Sequence, residues 1–239
     1  MKAGSWEESE SCREATARRS CRRRGAFTLL ELLLVIALLA ILSSLLFPAT
    51  ARAKGFVLAA VCGQHLRQWG LATLMYAEEH DDSLPPEGFP NPTARHTNSG
   101  WYIQLPRQLG LKRYHDEPWR TNATVTPGIT PWLCPANRRR SNGRNLFHYC
   151  LNQNVDGTSA EERRMSLSTL KEPARTVWLF DSKNLPAVGS WNFVHTNLHS
   201  AGAQFLFLDG HASRFPATAY WDPASNRART NHPGLLWIP

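Results

Sequence analysis

From Leu29 to Phe47 only Glu31, Ser43 and Ser44 interrupt an apolar run, and no second run of that length follows. Counted from Phe27 the segment has 21 residues. As a helix it reaches roughly 31 Å, enough to cross a hydrocarbon core. Arg22-Arg23-Arg24 and the small pair Gly25-Ala26 precede it, and positive charge there holds the cytoplasmic side during insertion. Glu31 lies one turn inside the helix. A carboxylate in lipid costs on the order of 2.5–3.5 kcal/mol on insertion scales, so Glu31 needs a partner or a function. Pro48, just past the run, is expected to kink or loosen the helix.

The helical pattern does not stop at Pro48. Leu58, Cys62, Leu66, Trp69, Ala72 and Tyr76 recur at three- and four-residue spacing, an apolar stripe on one face. The helix is therefore predicted to run from Phe27 to about His80 and to end before Asp81-Asp82-Ser83-Leu84-Pro85-Pro86. Its second half should pack this stripe against a head formed by the rest of the chain.

Charge alone would raise nucleic-acid binding, since 239 residues carry a formal +8. The distribution argues otherwise. Residues 1–26 hold seven basic and four acidic residues, and their densest cluster abuts the apolar helix. The other cluster, Arg138 to Arg140 with Arg144, falls in a loop-like stretch and reads as a solvated basic loop. There is no basic helix face and no nucleic-acid-binding motif, so no nucleic-acid partner is expected. Of five cysteines, Cys12 and Cys21 fall in the leader, which leaves Cys62, Cys134 and Cys150. No CxxC occurs, so a zinc ribbon or thioredoxin-like site is not expected. One disulfide can form if the head is exported.

The residues Ala26-Phe27-Thr28-Leu29-Leu30-Glu31 and the apolar run after them resemble the type IV prepilin and type II secretion pseudopilin family. The resemblance implies cleavage between Ala26 and Phe27 by a membrane prepilin peptidase and N-methylation of Phe27. It also implies that Glu31, fifth in the mature chain, pairs with the N-terminal amine of a neighbouring pilin-like subunit. An ammonium and a carboxylate, each costly alone in lipid, neutralise one another between chains. Ala26 stands where the family usually has Gly, and Gly25 comes one position earlier. A cut after Gly25 would make Glu31 sixth, so the spacing favours the cut after Ala26.

A second resemblance lies further along. His199, nine residues and then Asp209-Gly210 look like the His-x9-Asp-Gly ending of a pilin-like family abundant in planctomycetes and their relatives. Cys62-Gly63-Gln64-His65-Leu66-Arg67-Gln68-Trp69-Gly70 is similar to that family's helix, with His65 in place of Asn and Trp69 in place of Leu. Cys134-Pro135 and Tyr149-Cys150-Leu151-Asn152 match its middle. On this likeness Cys62 is expected to pair with Cys134, tying head to stalk, with Cys134–Cys150 as the alternative.

Within the head, residues 81–175 are rich in Pro, Gly and Asn, and suggest an irregular region pinned by aromatic residues. Thr176 to Phe180 reads as a strand. Ala203 to Leu208, Asp209-Gly210, then His211 to Phe215 reads as a hairpin with a two-residue turn. About the last 20 residues read as loosely structured. The fold expected is α+β and pilin-like: a long N-terminal helix, transmembrane in its first half, packed against a small antiparallel sheet with long irregular loops. Its segments are a cytoplasmic leader (1–26), the helix (27–80, with 27–47 in the membrane and 48–80 as stalk) and an extracytoplasmic head (81–239). The inner membrane is the expected location.

His195, His199, Asp209 and His211 are the candidate metal ligands. Calcium, which some pseudopilins bind, prefers oxygen, and Asp209 alone supplies a carboxylate. A structural reading, with Asp209-Gly210 as the turn and His199 hydrogen-bonded to the hairpin, fits better, so no metal or cofactor is expected, with calcium in the head as the alternative. No Gly-x-Ser-x-Gly, His-Glu-x-x-His or phosphate loop occurs, and no catalysis is expected. Function is expected to be that of a structural subunit, a pseudopilin or minor pilin-like component of a type II secretion or type IV pilus-like assembly. The alternative is an anchored or secreted binding module for a ligand or cell-surface polymer.

Overall fold

A computed structural model of the chain describes residues 28–86, 88, 100–141, 143–155, 165–183 and 187–239. The chain divides between Phe47 and Pro48 into two compact units. Helix α1, Leu29–Glu79, carries Pro48 inside it. Among the described residues it is the one helix long and apolar enough to cross a membrane. Its residues from Leu29 to Phe47 are all exposed, Leu, Ile and Val included, which suits a lipid-facing segment rather than a protein core.

In the second unit the apolar stripe of α1 is covered. Cys62, Leu66, Trp69, Ala72 and Tyr76 are buried, while Gln64, Arg67 and Leu71 face outward. The stripe packs against one face of a five-stranded sheet. Its strands are β1 (Tyr149–Asn152), β2 (Val177–Asp181), β3 (Val188–Gly189), β4 (Gly202–Phe207) and β5 (Ala212–Pro216), in the order β3-β1-β2-β4-β5. The sheet is mixed rather than antiparallel, because β3 pairs parallel with β1 through Leu151↔Val188 and Asn152↔Gly189. The other three pairings are antiparallel.

Both faces of the central strands are covered, so every residue of β1, β2 and β4 is buried, the polar Asn152, Asp181 and Gln204 included. On β4, Leu206 lies in the core with α1, whereas Ala203, Phe205 and Phe207 enter a second core with Tyr220, Leu235 and Trp237. A bulge between Val177 and Leu179 places two β2 residues opposite one on β4. Trp178 and Leu179 consequently both reach the α1 core, while Val177 and Phe180 lie in the other. Trp178 Nε1–H donates to Thr73 Oγ1 at 2.9 Å, and Thr73 Oγ1–H donates to Trp69 O at 2.8 Å.

The last 20 residues differ from the loose tail expected of them. β6 (Trp221–Asp222) and β7 (Arg227–Ala228) pair, and the chain then runs alongside β2. Val177 N–H donates to Leu236 O at 2.9 Å, and Leu236 N–H to Arg175 O at 2.7 Å. The physical reason is Leu235 and Trp237, alternating residues that cap the far face of the sheet. A short helix, α2 (Trp101–Gln108), interrupts the irregular region and buries Trp101, Tyr102 and Leu105.

The β4–β5 connection also differs from expectation. Phe207 pairs with His211 across a three-residue turn: Gly210 N–H donates to Phe207 O at 2.9 Å and Phe207 N–H to His211 O at 2.9 Å. Gly210 (φ 89°) takes the left-handed position and Asp209 does not. This turn meets α1 at Gly70. A Cβ there would lie 2.8 Å from Leu206 Cδ1 and 2.9 Å from Gly210 O. Gly70→Val should therefore lower stability by about 2 kcal/mol or more, as overpacking against backbone does. Denaturant unfolding measures this, and an unchanged midpoint would mean that helix and turn slide apart freely.

Candidate functional site

Two places carry chemistry, one at the start of α1 and one where α1 meets the sheet. At the first, Thr28 precedes the helix and Glu31 is its third residue. Glu31 N–H donates to Thr28 Oγ1 at 3.1 Å, and Thr28 N–H donates to Glu31 Oε2 at 2.9 Å. Thr28 Oγ1–H also reaches Oε2, at 2.8 Å. This is a capping box, in which side chains satisfy backbone donors that the first helical turn leaves without partners. The Thr-x-x-Glu spacing ahead of the apolar run is its sequence signal. All the carboxylate's bonds here end on Oε2, and Oε1 takes part in none of them. Ala26 and Phe27, the residues flanking the expected cut, lie outside the described residues. Pro48 lies within α1.

At the second place, Cys62 of α1 and Cys134 of the loop after α2 form a disulfide with Cα atoms 4.9 Å apart. Successive turns of α1 brace the same loop. His65 Nδ1–H donates to Leu133 O at 3.0 Å, and Trp69 Nε1–H donates to Pro131 O at 2.9 Å. The Trp69 ring lies against Trp132 with centroids 4.5 Å apart. Burial lowers the His65 pKa, while the bond to the Leu133 carbonyl opposes that shift. Cys150 is a free thiol, buried, and burial pushes its pKa up.

His199 is 2% exposed and lies beside the disulfide. Its Nε2 is 3.4 Å from Cys134 Sγ and 3.1 Å from Oδ2 of Asp181, the last residue of β2 and itself fully buried. Asp181 Oδ2 also accepts Gln204 N–H of β4 at 2.8 Å. The His199 backbone joins the hairpin, with its N–H donating to Gly202 O and its carbonyl accepting Arg214 Nε–H. The imidazole therefore turns inward to the disulfide rather than bonding the hairpin. Asp209 and His211 pair with each other at 2.6 Å on the exposed turn. His195, whose pKa burial lowers, accepts Asn197 N–H through Nδ1. Among the described residues, the group of three or more potential ligands gathered within 4.8 Å is Cys62, Cys134 and His199. The metal candidates read from sequence thus separate, and only His199 belongs to a cluster. Asp181 was missed; an acidic residue closing the apolar strand Val177–Asp181 was the available signal.

This cluster is no nucleophilic triad. A triad needs one imidazole nitrogen for the thiol and the other for the carboxylate, whereas here Nε2 faces both and the sulfur is bonded to Cys62.

Residues 21–47 match the family model of the prokaryotic N-terminal methylation motif. No curated protein and no solved structure matches the chain. The match covers the basic residues, Glu31 and the apolar run, the same segment in which α1 is apolar and exposed. The chain thus combines a prepilin-type N-terminus and a membrane-length helix with a mixed-sheet head.

Proposed function

We propose that the chain is a structural subunit, a pseudopilin or minor pilin-like protein of a type II secretion or type IV pilus-like assembly, and not an enzyme. It is inserted with the leader in the cytoplasm and the head outside the inner membrane, and is then cut by prepilin peptidase. Glu31 carries the reading. It is a carboxylate in a segment otherwise suited to lipid, inside the matched methylation motif, and the Oε1 of its side chain is left over by the capping box. A neighbouring subunit's N-terminal ammonium is the partner that would offset its cost in lipid. The head contributes rigidity: the Cys62–Cys134 bond and the bonds of His65 and Trp69 hold it on α1.

Mass analysis of the N-terminus of membrane-extracted protein is the direct test. A mature chain beginning with N-methylated Phe27 is expected, and soluble material beginning near Lys54, as a signal-peptide cut at the small residues of Pro48-Ala49-Thr50-Ala51-Arg52-Ala53 would leave it, would overturn the reading. Glu31→Gln sharpens the test, because an amide still accepts the Thr28 hydrogen bonds but carries no charge. Insertion and cleavage should persist in Glu31→Gln and in Glu31→Val, with incorporation into filaments lost in both. Wild-type incorporation by the amide variant would show that the charge is not what assembly uses.

A further inference from the structure

We propose that, in its dithiol form, the head binds one borderline divalent metal ion of the zinc class through Cys62, Cys134, His199 and Asp181. In a tetrahedral zinc site with bonds of about 2.3 Å to sulfur and about 2.0 Å to nitrogen and oxygen, neighbouring ligand atoms lie about 3.3 Å (N···O) and about 3.5 Å (N···S) apart. The His199 Nε2 to Asp181 Oδ2 and Cys134 Sγ separations are 3.1 and 3.4 Å. Two edges of the tetrahedron, both at His199 Nε2, are therefore already present; the sulfur–sulfur edge is shortened by the covalent bond, and Asp181, which lies outside the group of atoms within 4.8 Å of one another, has to close on the sulfurs as the ion binds. Convergence of a sulfur and a carboxylate oxygen on one imidazole nitrogen is ill suited to proton relay. It is what a common central ion requires.

His199 Nδ1 is buried with no hydrogen-bond partner among the described residues, so a metal on Nε2 moves the ring proton to Nδ1 without displacing an existing bond. The donor set, two thiolates with an imidazole and a carboxylate, suits zinc or cobalt rather than calcium. The proposal does not rest on the assembly role.

A water-soluble phosphine takes up an oxygen atom from water to become the phosphine oxide, and the disulfide gains two electrons and two protons to give two thiols. The metal then displaces both thiol protons. A small-molecule disulfide then accepts the two electrons and, with two protons, leaves as two thiols while the Cys62–Cys134 bond re-forms and the ion is released, so disulfide and metal are alternative fillings of one site.

The test uses the full chain in detergent micelles with Cys12→Ser, Cys21→Ser and Cys150→Ala, which leaves only the two thiols of interest. After phosphine reduction and anaerobic removal of the reductant, cobalt(II) is added. Expected are sulfur-to-cobalt charge-transfer absorption and tetrahedral ligand-field bands saturating at one ion per chain, bleached by zinc and absent from the oxidised chain. His199→Asn and Asp181→Asn should each weaken cobalt binding at least about 10-fold. The proposal falls if the reduced chain, with both thiols titrating, gives no such bands, or if both variants bind cobalt as tightly as the parent.

Discussion

Replacing Cys62 and Cys134 together by alanine should lower the stability of the head by about 4 kcal/mol. The bond spans 72 residues, and closing a loop of that length restricts the unfolded chain by about that much on the chain-entropy account. The loop it anchors has other holds on α1, the His65 and Trp69 bonds and the Trp69–Trp132 contact. The substituted chain should therefore still fold, with the same sheet but a lower midpoint. Chemical denaturation of oxidised wild type against the double variant measures the difference. Equal midpoints would show that these contacts alone fix the loop, leaving the disulfide no stabilising role. The single variant Cys134→Ala should lose slightly less than the pair if the Cys62 thiol then finds the His199 imidazole.

How much of this was legible in the sequence depends on the range of the forces involved. The helix was readable because its signals are local: an apolar run broken only by Glu31, Ser43 and Ser44, then a stripe with helical period through Cys62, Leu66 and Trp69. The hairpin was readable for the same reason, although its turn has three residues. Asp209 does not adopt positive φ, and Gly210 alone supplies it. What escaped depended on partners far along the chain. Strand β3 has two residues, too few for any periodicity, and exists because Leu151 N–H meets Ala187 O and Asn152 faces Gly189. The C-terminal segment resembled a tail until β2 offered Thr176 and Val177 as its neighbours. Asp181 was hidden because a buried carboxylate is identified by the imidazole that meets it, and His199 lies 18 residues further on, across a strand and a turn. The resemblance singled out His199 and Asp209 as one motif, yet in the fold they serve different neighbours.

Acidification should destabilise the head well before its carboxylates protonate, and His148 sets the scale. Its ring is buried, with Nε2 at 3.2 Å from Arg139 O, and burial drives its pKa from the ordinary value of 6.5 down to about 4. Between those two values the unfolded chain binds a proton that the folded chain refuses. Stability therefore rises with pH across the window: it is fully present above about 6.5, falls progressively toward about 4, and changes no further below that on account of this group. The full amplitude is about 3 kcal/mol, at 1.36 kcal/mol per pKa unit. Burial lowers the pKa of His65, His115 and His195 as well, so these groups tilt stability in the same direction. Asp82 and Asp222, whose pKa values hydrogen bonds to serine lower, contribute only beneath the ordinary carboxylate value and leave this window unaffected. Denaturation midpoints measured between about pH 7.5 and about pH 4.5 should drop steeply in the wild type. His148→Gln, which keeps a donor for Arg139 O but cannot take up a proton, should start lower at neutral pH and lose less on acidification. A slope identical to that of the wild type would move the acid sensitivity from His148 to the other buried imidazoles.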